Sequence, residues 1–204
     1  MKLLTAEAQK ILNKDPVLKK ALKGLDPLSL PGAGNVFNEL VKAIAYQQIS
    51  YKAADTIFGR FIELLGSENY TPEDLVAISF DEMRGIGFSK QKATYSHNIA
   101  NYFIENSLYD CDWSQYSDVA IMKTLTNIKG VGEWTAEMIM LFELQRPDVF
   151  PSKDLAIQQS MMTIYDIKLE KKALLLKMNE IAEAWRPHRS LATLYLWSWK
   201  RANS

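Results

Sequence analysis

The sequence predicts an all-α protein, and three observations carry that prediction. Apolar residues recur at i, i+3 and i+4 through much of the chain, helix-start signals precede several of these stretches, and alternating strand patterns are few. Typical helix and connection lengths then give roughly nine to eleven helices.

Taken in order, Asn35 to Ile49 carries Val36, Phe37, Leu40, Val41, Ile44 and Ala45 on one stripe. Thr71-Pro72-Glu73-Asp74 sets an N-cap before a proline at the first helical position. Asp118 to Asn127 has Val119, Met122 and Leu125 behind a capping Asp118. Glu133 to Leu144 places Ala136, Ile139, Met140 and Leu144 at helical spacing, and Glu170 to Trp185 does the same with Leu174, Met178, Ile181 and Trp185. Leu191 to Trp199 is almost continuously apolar and reads as a buried terminal helix. Breakers at Asp26-Pro27 and Pro31-Gly32-Ala33-Gly34 separate a short N-terminal piece from the first long helix, and Arg146-Pro147 ends the helix that begins near Glu133. Met83-Arg84-Gly85-Ile86-Gly87 resembles Ile128-Lys129-Gly130-Val131-Gly132, which suggests one turn used twice. Two copies do not make a solenoid.

Composition removes several classes. A chain 48% hydrophobic and 24% charged is not a disordered one. No uncharged run approaches the roughly 18 to 20 residues that span a bilayer, so no membrane partner is expected. Met1 to Glu7 is too short an apolar stretch for a signal peptide. With Cys111 alone, neither an internal disulfide framework nor a four-cysteine zinc or iron–sulfur site can form, and His97 and His188 lack metal-ligand spacing. The expectation is an intracellular monomer, of cytoplasm and nucleoid or of a nucleus. Basic and acidic residues balance at 24 each. If such a chain binds DNA, it uses a local surface and backbone donors rather than its overall field.

The turn at Gly130 is the most informative segment. A dinucleotide fingerprint would need a strand before it and a small residue where Thr135 stands. Helix, Gly-x-Gly, helix fits a helix-hairpin-helix instead. Its glycines allow a tight turn and close approach to a phosphate, which the N–H groups and dipole of the next helix would attract. The alternative is a plain helix connection with a glycine C-cap. Asp154 follows in Pro151-Ser152-Lys153-Asp154. It is either an N-cap of the next helix or a carboxylate that stabilises positive charge on a deoxyribose as a base departs. The helix from Glu133 to Gln145 is roughly 20 Å long, and a reversal at Pro147 would return Asp154 toward the hairpin.

Together these residues resemble the helix-hairpin-helix DNA glycosylases, and within them the 3-methyladenine DNA glycosylase II (AlkA-like) branch. The likeness rests on Gly130-Val131-Gly132-Glu133-Trp134-Thr135-Ala136, on Asp148-Val149-Phe150-Pro151 with Asp154, on Gln47-Gln48-Ile49-Ser50, on Gly85-Ile86-Gly87-Phe88-Ser89 with Lys92-Ala93, and on Trp185-Arg186-Pro187-His188-Arg189-Ser190-Leu191-Ala192. It covers about Asp15 to Trp199. It implies two helical lobes with a helix-hairpin-helix and an active-site cleft between the lobes. One lobe would span 36–146, and 1–35 plus 147–204 would form the second, carrying the catalytic Asp154. DNA contacts would come from Gln47, Gln48, Ser50, Gly130, Val131, Gly132 and Thr135. Backbone carbonyls of Thr126, Ile128 and Val131 would hold a structural monovalent cation, Na+ or K+, with no cofactor in catalysis. The partner would be double-stranded DNA with an alkylated base.

The departures are informative too. Bifunctional relatives carry a lysine nucleophile where this chain has Trp134, so no Schiff base forms there and strand cleavage is not expected. The missing cysteine cluster separates the chain from the iron–sulfur branches. Trp134 either stacks on a flipped cationic base or sits in the core. His188 lines the pocket or merely flanks a helix start. Gln48 plugs the duplex or is a polar residue at a helix end. Tyr46 and Lys153 stand where relatives tend to have small and acidic residues. The leading reading is a monofunctional, water-using glycosylase for alkylated purines. The alternatives are a non-catalytic DNA-damage binding module and a helical protein-interaction domain.

Overall fold

A computed structural model describes residues 3–30 and 34–204. Among the described residues there are twelve α-helices and no strand. In chain order they are α1 (Ala6–Leu12), α2 (Pro16–Ala21), α3 (Val36–Tyr46), α4 (Tyr51–Leu65), α5 (Pro72–Ala77), α6 (Phe80–Gly85), α7 (Lys90–Glu105), α8 (Asp118–Thr126), α9 (Glu133–Met138), α10 (Leu155–Ile164), α11 (Lys171–Ala182) and α12 (Arg189–Ala202). The number exceeds the upper expectation by one. Short helices raise it: Ile78 turns extended (φ −79°, ψ 128°) after α5, and Ser79 at once restarts the chain as α6 with a reciprocal capping box to Glu82. No helix among the described residues is long and apolar enough to cross a membrane.

Local chemistry sets the boundaries. Asn35 caps α3 through Oδ1, which accepts from the N–H groups of Phe37 and Asn38. The helix ends at Tyr46, not at Ile49, because Gln47 is extended (ψ 135°) and Gln48 enters the left-handed region (φ 58°). The N-cap of α8 is Ser117, whose Oγ accepts from Ala120 N–H; Asp118 lies inside the first turn. α9 was expected to run regularly to Leu144 or beyond. It widens instead into a π-helical turn over Ile139–Glu143. Gln145 (φ 49°) then goes left-handed, Arg146 N–H returns to the Met140 carbonyl at 2.8 Å, and Pro147 stops the chain. Of the Pro31–Gly34 breaker, all but Gly34 lies outside the described residues.

The chain divides into two compact units, residues 33–139 and residues 1–32 with 140–204. In the first, Phe37, Phe61, Tyr70 and Phe103 are fully buried and meet edge-on or tilted, with centroids 5.4–5.7 Å apart in the pairs Phe37–Tyr70, Phe37–Phe103 and Phe61–Tyr70. His97 is buried, its two ring nitrogens each 3.0 Å from a carbonyl, of Ala93 and Ile78, and its ring stacked on Phe80. It is a structural histidine.

The second unit packs α1, α2, α10, α11 and α12 around Trp185, with Leu18, Ile157, Met161, Met178 and Leu196 fully buried beside it. Asp15 joins the pieces. Its Oδ1 caps α2 by accepting from Val17 and Leu18, and its Oδ2 accepts from the Tyr165 hydroxyl at 2.6 Å and the Trp185 indole N–H at 3.1 Å. Burial alone would raise this carboxyl, but the Leu18 N–H, the two side-chain donors and the Val17 N–H together hold it below the usual range. Asp15→Ala removes the cap and leaves the indole N–H of buried Trp185 and the half-buried Tyr165 hydroxyl without this acceptor, so it should lower stability by about 2 kcal/mol in urea denaturation at pH 7. Because the folded value is depressed, the contribution of Asp15 is complete above the unfolded value of about 3.9 and is lost as the pH falls through the folded one. The gap between the variant and the parent should therefore hold from pH 7 to about 5 and narrow below about 4. A gap that stays constant down to pH 2.5 would show that Asp15 acts through packing alone.

Candidate functional site

The hairpin turn lies wholly in the 33–139 unit. α8 ends at Thr126, Ile128 and Val131 are buried, and Val131 N–H closes a turn on the Ile128 carbonyl at 3.0 Å. Gly130 occupies that turn with φ 111°, and a Cβ built on it would stand 2.4 Å from the Tyr95 ring. Only glycine satisfies both conditions. Gly132 is different. It is the N-cap of α9 with φ −89° and ψ 169°, a conformation open to any residue, and a Cβ there would meet no protein atom within 4 Å. Its glycine is required neither by backbone conformation nor by protein packing.

The two Gly-x-Gly sites are not the same turn. At the first, Gly87 (φ 112°) directly follows Ile86, the C-cap of α6, with Phe88 N–H bonded back to the Met83 carbonyl, and Ser89 caps α7 through its hydroxyl. At the second, the positive-φ residue is the first glycine of the pair, Gly130, three residues beyond the C-cap Asn127. The exits match: a positive-φ glycine stands two residues before the N-cap each time. The caps do not match, since Ser89 closes α7 with its own side chain and Gly132 has none to offer α9.

Trp134, second residue of α9, is 47% exposed, which removes the reading of it as a core ring. Thr135, beside it, is buried. Thr126, Ile128 and Val131 offer neutral carbonyl oxygens, a donor set that suits a hard monovalent cation. No group of three or more His, Cys, Asp or Glu side chains among the described residues could hold a metal ion.

Gln47, Gln48 and Ser50 form the junction of α3 and α4. Gln48 is exposed and left-handed, at a cost of about 1 kcal/mol or more for a residue with a Cβ. Ser50 is the N-cap of α4, accepting from Ala53 N–H. Tyr46 packs edge-on against Phe58 and donates from its hydroxyl to Asp55 at 2.6 Å. That bond, then burial, pushes the hydroxyl up to about 12, so it remains a donor at any physiological pH. Lys92 of α7 reaches the same junction, its Nζ donating to the Ala45 carbonyl at 2.7 Å. Burial lowers that ammonium from the usual lysine value.

Asp154 and His188 lie in the other unit. Asp154 is the N-cap of α10, so the structural role foreseen for it is real: Oδ1 accepts from Ile157 N–H at 3.0 Å. The same oxygen accepts from the Trp197 indole N–H at 3.1 Å, and Trp197 is stacked on Phe142. The turn before it is fastened to α12. Arg189 grips the Asp148 carboxylate with two nitrogens (2.7 and 3.0 Å), Arg186 adds a third contact, and the Ser190 hydroxyl donates to the Arg146 carbonyl and accepts from Val149 N–H. His188 is the N-cap of α12, half-buried, and its Nε2 is enclosed without a hydrogen-bond partner among the described residues.

Trp197, Tyr95, Asn98 and Arg189 were not singled out from the sequence. Nothing in a nearly continuous apolar run marks Trp197 as the partner of a carboxylate 43 residues earlier. Two concavities, about 680 Å³ beside α1 and α2 and about 640 Å³ between α3 and α4, are lined by none of Asp154, Trp134 or His188.

The pattern of the HhH-GPD superfamily of base excision DNA repair proteins matches residues 41–187. The chain is 35% identical to DNA-3-methyladenine glycosylase 1 of Schizosaccharomyces pombe over 164 residues, covering 79% of this chain and 71% of that protein. It is 30% identical to a putative DNA-3-methyladenine glycosylase of Bacillus subtilis, covering 80% of this chain and 58% of the other. Among solved structures, a DNA-3-methyladenine glycosidase of Bacillus halodurans superposes with a TM-score of 0.84 at 32% identity over 97% of this chain and 90% of that one. The S. pombe 3-methyladenine glycosylase in complex with abasic DNA gives 0.76 at 30% identity over 94% and 95%. By the span of the family match and the identity of these relatives, the chain belongs to the HhH-GPD superfamily of base excision DNA repair proteins.

Proposed function

We propose that this protein is a monofunctional DNA glycosylase that flips alkylated purines out of duplex DNA and releases them by hydrolysis. The observation that carries the reading is Asp154. It is a carboxylate fixed by two donors at the head of α10, on a turn clamped to α12 by Asp148 and Arg189. The relatives named as 3-methyladenine glycosylases support the substrate class.

The chemistry follows from the residues. An N3- or N7-alkylated purine is cationic, so when its bond to C1′ breaks the electron pair leaves with the base and the base departs neutral. Positive charge moves to the sugar. A carboxylate aimed at C1′ is worth most at that moment, and Ile157 and Trp197 keep Asp154 from having to reorganise. Water then adds to C1′ and gives up a proton, leaving an abasic strand. The exposed indole of Trp134 offers an electron-rich face to the cationic base. The enclosed, unpartnered Nε2 of His188 suits a polar group that finds its partner when substrate arrives. α9 opens on a glycine without a capping side chain, and backbone donors there would take a phosphate oxygen. A monovalent cation held by the carbonyls of Thr126, Ile128 and Val131 would add a positive charge toward that phosphate.

Asparagine caps a helix as well as aspartate does, so Asp154→Asn should keep its fold and its DNA affinity. Its single-turnover release of 7-methylguanine from methylated duplex should fall by at least about a hundredfold. Unchanged excision would leave Asp154 with its capping role only. Parent protein that binds abasic duplex yet releases no base would favour the non-catalytic damage-binding module.

Trp134 has no amine, so excision should yield intact abasic strands, and borohydride should trap no covalent adduct. A trapped protein–DNA band on a denaturing gel would mean that another amine serves.

Gly132 separates the phosphate contact from the fold. The Gly132 backbone is open to valine and a Cβ there meets no protein atom within 4 Å, so Gly132→Val should stay folded by circular dichroism. It should nevertheless bind abasic duplex far more weakly, because on this reading its side chain would occupy the space that a phosphate needs. Lys129→Ala should have a smaller effect and reduce the salt slope by about one. Normal binding by Gly132→Val together with lost binding by Lys129→Ala would reject the backbone anchor.

A further inference from the structure

We propose that Tyr51 is a duplex-contacting residue: its ring packs on the DNA next to the step that Gln48 opens, and it contributes affinity for damaged duplex that does not depend on salt. The inference rests on the glycosylase reading above.

Tyr51 is 82% exposed, the highest value for a large hydrophobic residue among the described residues. Single exposed apolar residues are ordinary and need no explanation. Tyr51 differs in how it is held and where. It is the first residue of α4, directly after the Gln47–Ser50 junction, and Ile49 before it is also exposed. Its ring meets Tyr46 edge-on at 6.4 Å. Tyr46 in turn meets Phe58 at 6.0 Å and is pinned by its hydroxyl to Asp55. Phe58 leans on Phe61 at 5.8 Å, and Phe61 is completely buried. A ladder of four rings thus runs from the core of the 33–139 unit to the surface and ends in a tyrosine with almost nothing over it.

Such an arrangement reduces the freedom that Tyr51 would lose on binding, the usual tax on an exposed side chain. It stands beside Gln48, whose left-handed backbone is the local strain expected where a residue is pushed outward. Lys52 follows, exposed and in no ion pair among the described residues. An aromatic next to a free cation suits a nucleic-acid strand, whose bases stack and whose phosphates attract, better than it suits an apolar protein surface.

The test uses the full-length protein, abasic-site duplex and a salt series. Tyr51→Ala should weaken binding by about tenfold, the scale of one lost aromatic contact, with the salt slope unchanged. Tyr51→Phe should bind within about twofold of the parent, because the contact is the ring. Single-turnover base release at saturating protein should be nearly unaltered in both, so the loss appears in the concentration needed and not in the maximal rate. Melting temperatures should stay within about 2 °C, as expected for an exposed position. Tyr51→Ala that binds like the parent overturns the proposal and leaves the glycosylase reading intact. A drop in melting temperature matching the loss of binding overturns it as well, by making the effect structural. A parent protein that neither binds abasic duplex nor releases a methylated base fails the glycosylase reading itself, and the contact with it.

Discussion

One face of α7 fixes both the α3–α4 junction and the hairpin turn of the 33–139 unit. Lys92, Tyr95 and Asn98 follow one another at three-residue steps. Lys92 donates to the Ala45 carbonyl at the end of α3, which the chain leaves unpaired when it breaks from helix after Tyr46. Tyr95 lies against Gly130 so closely that no Cβ fits between them, and Asn98 donates to the Lys129 carbonyl at 3.1 Å. The junction that presents Gln48 and Tyr51 and the turn that leads into α9 are therefore tied to one rigid element rather than to flexible loops. A displacement of α7 would move both. That shared support fixes the entry into the six-residue α9 by packing and not by the helix's own length.

In the other unit the same logic works through charge. Asp148 is not a reacting group; it is held by Arg189 and Arg186 and passes their position to the turn that precedes Asp154. Asp154 then meets Trp197 of the same α12 that carries Arg189. The carboxylate is thus located twice from one helix, once through the backbone that leads to it and once directly. An ion pair in this place stabilises little by itself, because desolvation offsets much of the attraction. Its value is positional.

The sequence made the helical class and most helix positions legible because apolar periodicity and capping residues are local signals. Asn35 and Thr71 were read correctly as starts. What failed was also local but depended on competing choices: Ser117 displaced Asp118 as a cap, and Gln47 and Gln48 left the helix three residues early without a glycine or proline to announce it. The likeness of the two Gly-x-Gly sites was half right, since the positive-φ glycine is the second of the pair at Gly87 and the first at Gly130. For the site, Asp154 and Trp134 stood out through the family resemblance, and their surroundings did not. The bond from Trp197 to Asp154 and the contact of Tyr95 with Gly130 join residues 43 and 35 positions apart, and no periodicity encodes such pairs.

The two glycines of the hairpin separate requirements that sequence reading merges. Gly130 is demanded by the fold: positive φ and the Tyr95 ring each forbid a side chain, so any replacement there damages the turn before it can report on DNA. Gly132 is demanded by neither. A serine at that N-cap would stabilise α9, as Ser89 stabilises α7, by a few tenths of a kcal/mol relative to glycine. The position instead holds a residue that leaves the first turn of α9 without a capping side chain. Under the proposed function, a hydroxyl there would fill the site that a phosphate oxygen needs, and a branched side chain would keep the strand away. The absent cap is thus a small loss to the isolated fold, and on the proposed reading a bound phosphate would recover it.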